Sequence, residues 1–250
     1  MKINIITGGS RGLGRSMALN LADKGQDSII TYNSKKAEAE AVVKEITAKG
    51  RKAVALQLDV SKVAGFDAFV AQVKQALSTT WKRDSFDHLV NNAGTGANTP
   101  ITQTSEAVFD DMVNIHVKAP YFLTQKLLPL MVDGGKIINV SSGLARFSYV
   151  NFAPYAIMKG AIEVFTRYLA VELGPRRITA NTIAPGGIAT DFGGGFIRDN
   201  PEFSAQLAGM SPLGRVGQPD DIGALAAAML SEDIRWVTGQ RIEASGGILL

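Results

Sequence analysis

Apolar positions along the chain fall into two rhythms. Short runs rich in apolar and β-branched residues recur at Ile3 to Thr7, Ser28 to Tyr32, Ala53 to Leu58, Phe86 to Val90, Lys136 to Val140 and Ile178 to Ile183, with a more polar last one at Gln240 to Ala244. Such runs predict strands buried between two layers of a parallel sheet. Between them lie stretches with helical spacing: Leu13 to Lys24, Lys35 to Lys49, Phe66 to Leu77, Met112 to Met131, Tyr155 to Leu173 and Asp220 to Leu230. Gly50 stands directly after the second of these as a stop signal. Pro120 falls inside the fourth. It has no N–H to give to the carbonyl of His116, so a bend is expected there.

Strands that alternate with helices predict βαβ units, and so an α/β protein on a doubly wound parallel sheet. No repeat, low-complexity tract or linker divides residues 1–250, and one domain is expected. From Thr190 to Met210 the pattern weakens. Gly193 to Gly195 precede apolar Phe196, Ile197, Phe203, Leu207 and Met210, which reads as a small flap with an apolar inner side.

Composition narrows the function classes. The 250 residues are 46% hydrophobic and 20% charged, enough for one large core. The net charge of +3 is spread among acids with no basic block longer than a pair, so no nucleic-acid surface is expected. The absence of cysteine excludes disulfides, thiolate ligands and cysteine nucleophiles, and two histidines give little basis for a metal site. The first apolar run is too short for a signal-peptide core, and no stretch reaches the ~18 apolar residues of a membrane span. A soluble cytoplasmic protein is the expectation.

The candidate chemistry sits where strands end. Thr7-Gly8-Gly9-Ser10-Arg11-Gly12-Leu13-Gly14 joins a predicted strand to a predicted helix. That is the context of a phosphate-binding turn, in which glycines admit the pyrophosphate and the helix N-terminus supplies free N–H groups. A merely tight turn has the same look. Tyr155 and Lys159 project from one helical face, a phenol beside an ammonium. A free tyrosine has a pKa near ~10, and a neighbouring positive charge lowers it. Ser142, thirteen residues earlier, is placed to hydrogen-bond an oxygen that the tyrosine protonates. The plain alternative is a buried tyrosine and a snorkelling lysine. The map of the sheet favours chemistry. In the order 3-2-1-4-5-6, ligands bind beyond the carboxyl ends of strands 1 and 4. Gly8 to Gly14, Asn91-Asn92-Ala93-Gly94, Ser142 and Pro185-Gly186 all follow strands along that one edge.

These pieces, in order and at these spacings, resemble the short-chain dehydrogenase/reductase family over essentially the whole chain. The matching residues are Thr7-Gly8-x3-Gly12-x-Gly14, Asn91-Asn92-Ala93-Gly94, Asn114, Ser142, Tyr155-x3-Lys159 and Pro185-Gly186. The resemblance implies a Rossmann-type sheet with a seventh strand, a nicotinamide cofactor and hydride transfer to a carbonyl. It implies that Tyr155 is the acid/base, that Ser142 positions the carbonyl, that Lys159 holds the ribose and lowers the tyrosine pKa, and that Asn114 supports a water in the proton relay. Ser141 is then structural, and His88 and His116 need no catalytic role. Carried over in the same way, the cofactor contacts are Gly8, Ser10, Arg11, Gly12, Leu13, Gly14, Tyr32, Asn33, Ser34, Asp59, Val60, Asn91, Ala93, Gly94, Tyr155, Lys159, Pro185, Gly186, Ile188 and Thr190.

The end of the second strand carries Tyr32, Asn33 and Ser34 and no carboxylate to repel a 2′-phosphate, while Arg11 is placed to pair with one. NADP(H) is therefore the expected cofactor, with NAD(H) possible. Lys35-Lys36 reads as a solvated helix start. Apolar Leu144, Phe147, Phe152, Phe192 and Phe196, with Gly187, Ser142 and Tyr155, favour a hydrophobic ketone, keto ester or 3-oxoacyl group as the small-molecule partner. The nearest likeness within the family is to 3-oxoacyl-acyl-carrier-protein reductases. Of the two basic positions that help those enzymes dock an acidic carrier, Arg176 matches one, but the other is Asp133. A homodimer or homotetramer is implied through the helices bearing Asn114 and Tyr155. Two rival readings are an NAD(P)-linked alcohol or sugar dehydrogenase and a non-catalytic dinucleotide-binding redox sensor.

Overall fold

Neighbouring residues in each strand face opposite sides of the sheet, and the apolar runs exploit this. In the computed structural model, which describes residues 1–250, seven parallel strands form one sheet in the order β3-β2-β1-β4-β5-β6-β7. They are β1 (Ile3–Ile6), β2 (Asp27–Tyr32), β3 (Ala53–Gln57), β4 (Phe86–Asn91), β5 (Met131–Val140), β6 (Thr179–Pro185) and β7 (Arg241–Ala244). Ile5, Ile29, Leu89 and Ile137 enter one core, and their next neighbours Ile6, Ile30, Val90 and Ile138 enter the other. Each such side chain, fully buried, contributes roughly 1.5–3 kcal/mol.

Helices cover both faces. Helices α1 (Gly12–Asp23) and α2 (Lys36–Ala48) lie on one, sending Met17, Leu21, Val42 and Ile46 into its core. On the other, α3 (Phe66–Ala76) contributes Phe66, Phe69 and Val73. No helix is long and apolar enough to cross a membrane.

Two elements depart from the pattern. Strand β5 starts at Met131 rather than Lys136. Its first half shifts register against β4 between Phe86 and His88, where Gly134 and Gly135 interrupt the apolar signal. The expected bent helix from Met112 to Met131 is two helices, α4 (Glu106–Val113) and α5 (Ala119–Leu127). A π turn over Asn114–Lys118 joins them. Pro120 sits in the first turn of α5, where a missing N–H costs little, and the ladder changes pitch in the turn just ahead of it.

Helix α6 (Ala153–Leu173) runs from the carboxyl edge of the sheet. The weakly patterned segment contains short α7 (Phe196–Asp199) and α8 (Pro201–Gly209), entered through Gly193, Gly194 and Gly195, all at φ between 61° and 81°. Helix α9 (Pro219–Met229) then returns along the α1 side, with Ile222 and Ala226 in the same core as Met17 and Leu21.

Candidate active site

The glycine turn is pinned by its neighbours. The Thr7 hydroxyl accepts from the backbone N–H of Asn92 (2.9 Å) and Ala93 (3.0 Å). The Asn92 amide returns a bond to the Thr7 carbonyl at 2.9 Å, and Gly8 N–H donates to the Thr31 hydroxyl at 3.1 Å. The ends of β1, β2 and β4 are thus tied into one rim. A Cβ on Gly14 would collide with the Gly8 carbonyl, so the first turn of α1 lies against the loop with no side chain between. The cradle fits a dinucleotide pyrophosphate: unobstructed backbone at a helix N-terminus.

Along this rim Arg11 is exposed at the start of α1. Tyr32 is buried at the end of β2, and Asn33 and Ser34 are exposed beside it, with no acid among them. Asp59 accepts from the Ser61 hydroxyl at 2.7 Å, and that bond, opposed in part by burial, holds its carboxyl below the usual range. Val60 next to it is half-buried. Thr190 lies across the cleft, its Cβ 3.8 Å from where a side chain at Gly12 would begin. Ile188 is buried, and Pro185 and Gly186 close the end of β6. The side chain of Asn91 turns away from the cleft: its amide donates to Asn139 (2.8 Å) and Thr124 (3.1 Å) inside the sheet.

Tyr155 and Lys159 are one helical turn apart on α6, both buried. The Lys159 Nζ lies 5.4 Å from the Tyr155 ring centre and donates to the carbonyl of Val140 at 2.8 Å. Ser142 caps the short turn after β5, its Oγ accepting from Leu144 N–H at 3.2 Å. Burial dominates the acid–base state. It pushes the Tyr155 phenol up, against a smaller opposing effect of the Ser142 hydroxyl, and pulls the Lys159 ammonium down to about 7. The phenol therefore keeps its proton in the free protein, where the sequence had suggested a phenol lowered by its lysine. Ser141 points elsewhere, donating to Glu163 at 2.7 Å. Behind it Glu163, Arg241, Glu243 and Arg146 form a chain of ion pairs, and Arg241 also reaches the Ser142 carbonyl at 3.4 Å.

Apolar residues wall the phenol. Ala97, Met112 and Met158 pack with it, and Leu144 lies against this cluster. The Phe192 ring comes within 5.8 Å of the tyrosine ring. Phe147 backs Gly143, and Phe152 precedes the first residue of α6. Phe196 is not in this wall: it is 54% exposed and pairs with Phe203 inside the flap at 4.9 Å. Gly187 lies under Leu207 of α8, which fastens the flap to the end of β6. Away from the site, Arg176 pairs with Asp133 at 2.8 Å and donates to the carbonyls of Leu128 and Met131.

The π turn brings an unexpected residue to the tyrosine. Asn114 opens that turn, half-buried. The ring of the turn that meets Tyr155 belongs to His116, edge-on at 5.3 Å. Its signal in the sequence is its place in the buried stripe Met112, His116, Ala119, Leu123, an imidazole where the period asks for an apolar side chain. No group of three or more His, Asp or Glu side chains is gathered to hold a metal.

Comparison with known proteins agrees with this geometry. Residues 8–248 match the family model described as Enoyl-(Acyl carrier protein) reductase. A hydroxynaphthalene reductase-like protein, Arp2, of Metarhizium brunneum is 36% identical over 98% of the chain and 94% of its own length. Among solved structures, the angucycline C-6 ketoreductase LanV with bound NADP superposes with a TM-score of 0.93 at 34% identity, covering 98% of this chain and 95% of that one. A blue fluorescent protein from a metagenomic library, in complex with NADPH, superposes with a TM-score of 0.90 at 36% identity, covering 100% and 98%.

Proposed function

Because the chain belongs to the short-chain dehydrogenase/reductase family, we propose that it is a carbonyl reductase that uses NADPH on a hydrophobic ketone, with Tyr155 as proton donor. The observation that carries this reading is the buried phenol of Tyr155 beside Ser142 and Lys159, at the edge of the crevice that the glycine turn opens.

NADPH, when bound, supplies the hydride for the carbonyl carbon. The remaining work is the protein's. The turn from Gly8 to Gly14 and the N-terminus of α1 hold the pyrophosphate. Arg11 pairs with the 2′-phosphate, unopposed by any acid at Tyr32, Asn33 or Ser34. The Tyr155 hydroxyl donates to the carbonyl oxygen and passes its proton over as negative charge develops there. The Ser142 hydroxyl donates to the same oxygen and lowers the barrier by roughly 3–4 kcal/mol. The Lys159 ammonium steadies the phenolate left behind and binds the ribose hydroxyls.

The wall of Leu144, Met112 and Phe192 suits a bulky apolar ketone or keto ester. The pairing of Arg176 with Asp133 removes the free positive charge that an acidic carrier protein would seek. The names of the relatives, which include hydroxynaphthalene and angucycline reductases, support a fused-ring or aryl ketone over a carrier-bound chain. Exposed Tyr121 on α5, with Ile157, Val164, Tyr168 and Val171 on α6, supports self-association through these helices.

A panel of aryl ketones, keto esters and acetoacetyl thioesters, run with NADPH and NADH, tests this reading. Bulky ketones should turn over with NADPH ahead of the thioesters. Arg11→Ala should raise the NADPH KM by about tenfold or more and leave the NADH value nearly unchanged. Equal effects on the two would remove the 2′-phosphate role, and turnover of nothing would favour the non-catalytic module.

A further inference from the structure

One polar atom in the site has no partner within the chain. His116 is 2% exposed. Its Nε2 lies 2.8 Å from the carbonyl oxygen of Thr95, which only accepts, so Nε2 carries the proton of the neutral ring. Nδ1 then presents a bare lone pair, buried and unmet. Burial, with the field of Lys159 second, pushes the imidazole down to about 3, so the ring stays neutral. The slot that holds it is built for it: a Cβ at Gly94 would come within 2.8 Å of its Cε1.

The position of this lone pair gives it a use. The imidazole sits edge-on to Tyr155, 5.3 Å between ring centres, and the Lys159 Nζ is 5.4 Å from the same tyrosine ring. His88 is the contrast. Both of its nitrogens are also unmet, but it lies within β4, inside the sheet and away from the crevice. The titratable groups around Tyr155 are His116 from the π turn and Lys159 from α6. The Glu163, Arg241, Glu243 and Arg146 chain behind Ser141 is satisfied within itself.

Resting on the reading of Tyr155 as proton donor, we propose that His116 is a positioning residue of the proton relay, in the place the family resemblance gives to Asn114. Its Nδ1 accepts a hydrogen bond from a solvent water whose oxygen accepts from the Lys159 ammonium. After each reduction the Tyr155 phenolate regains a proton through Lys159, and Lys159 regains it from that water, which solvent replenishes. His116 keeps its single Nε2 proton throughout and orients the donor. The tether to Thr95 fixes the ring so that the acceptor faces one way.

The test compares His116→Phe, which keeps a ring against Tyr155 without nitrogens, with His116→Asn, which restores an acceptor. NADPH binding, kcat and the pH dependence of kcat are measured for each, with thermal melting as a check on folding. The expected result for His116→Phe is a kcat lowered about ten- to a hundredfold, NADPH binding within twofold of the parent, and a displaced pH profile. His116→Asn should recover most of kcat and the parent profile. If His116→Phe does not fold, His116→Met takes its place with the same expectation. A kcat and pH profile within twofold of the parent in the acceptor-free variant, or no recovery in His116→Asn, would overturn the proposal. Tyr155→Phe, run alongside, separates the two readings: if it is inactive while the acceptor-free His116 variant is unimpaired, only the His116 role fails. If Tyr155→Phe stays active, the reading beneath it fails.

Discussion

At the scale of single residues, burial sets the acid–base state of the site. Tyr155 and Lys159 are both buried, and burial favours the neutral form of each, so the phenol holds its proton until a carbonyl oxygen needs it. The Ser142 hydroxyl lies beside it, its Oγ accepting from Leu144 N–H. Ser142→Ala should lower kcat by about a hundred- to a thousandfold while NADPH binding, read by fluorescence, is retained. A loss confined to KM would remove Ser142 from the chemistry. The grouping of Ser142, Tyr155 and Lys159 was legible in the sequence, because Ser-x12-Tyr-x3-Lys is a spacing along the chain; the effect of burial on the phenol was not. His116 was not, because its role depends on which way a π turn points its ring, and no spacing rule records that turn.

At the scale of elements, strand ends and the flap set the site's shape. The strands were legible because their apolar runs alternate faces. The early start of β5 was hidden by Gly134 and Gly135, which carry no pattern of their own. The weak pattern from Thr190 to Met210 reads as a flap with an apolar inner side, and there two short helices follow three left-handed glycines. Leu207 of α8 seats this flap on Gly187. Leu207→Ala should raise the ketone KM by roughly fivefold or more, with little change in NADPH affinity, since lids of this kind govern substrate retention. An unchanged KM would mean that this contact does not shape the substrate site. Strand β4 carries a stability prediction. Buried His88, with neither ring nitrogen bonded, is pushed down to about 4, first by burial. Unfolded, it takes a proton near 6.5, so its contribution is intact above that pH and is lost as pH falls toward 4. The loss is on the order of 3 kcal/mol. Urea unfolding at pH 7.5 and pH 5 should reveal this fall, and His88→Leu should flatten it. An equal slope in the variant would place the acid sensitivity elsewhere.

At the scale of the whole molecule, the order β3-β2-β1-β4-β5-β6-β7 gathers the distant motifs along one edge. The order 3-2-1-4-5-6 was expected from the doubly wound pattern, and the family resemblance implied the seventh strand. The pairing of Asp133 with Arg176, which joins the start of β5 to the turn after α6, 43 residues apart, was not legible in the sequence. The outer face of α6, with Tyr168 at 64% and Val171 at 78% exposed, predicts association in solution. Light scattering should find a dimer or tetramer, and Tyr168→Glu with Val171→Glu should dissociate it. A monomeric parent would contradict this. The claim on which the rest depends is that Tyr155 delivers the proton, and stopped-flow reduction of an aryl ketone by NADPH tests it most directly. Tyr155→Phe should bind NADPH as the parent does and lose the reduction step by about a thousandfold or more. Reduction at the parent rate in that variant would contradict the account.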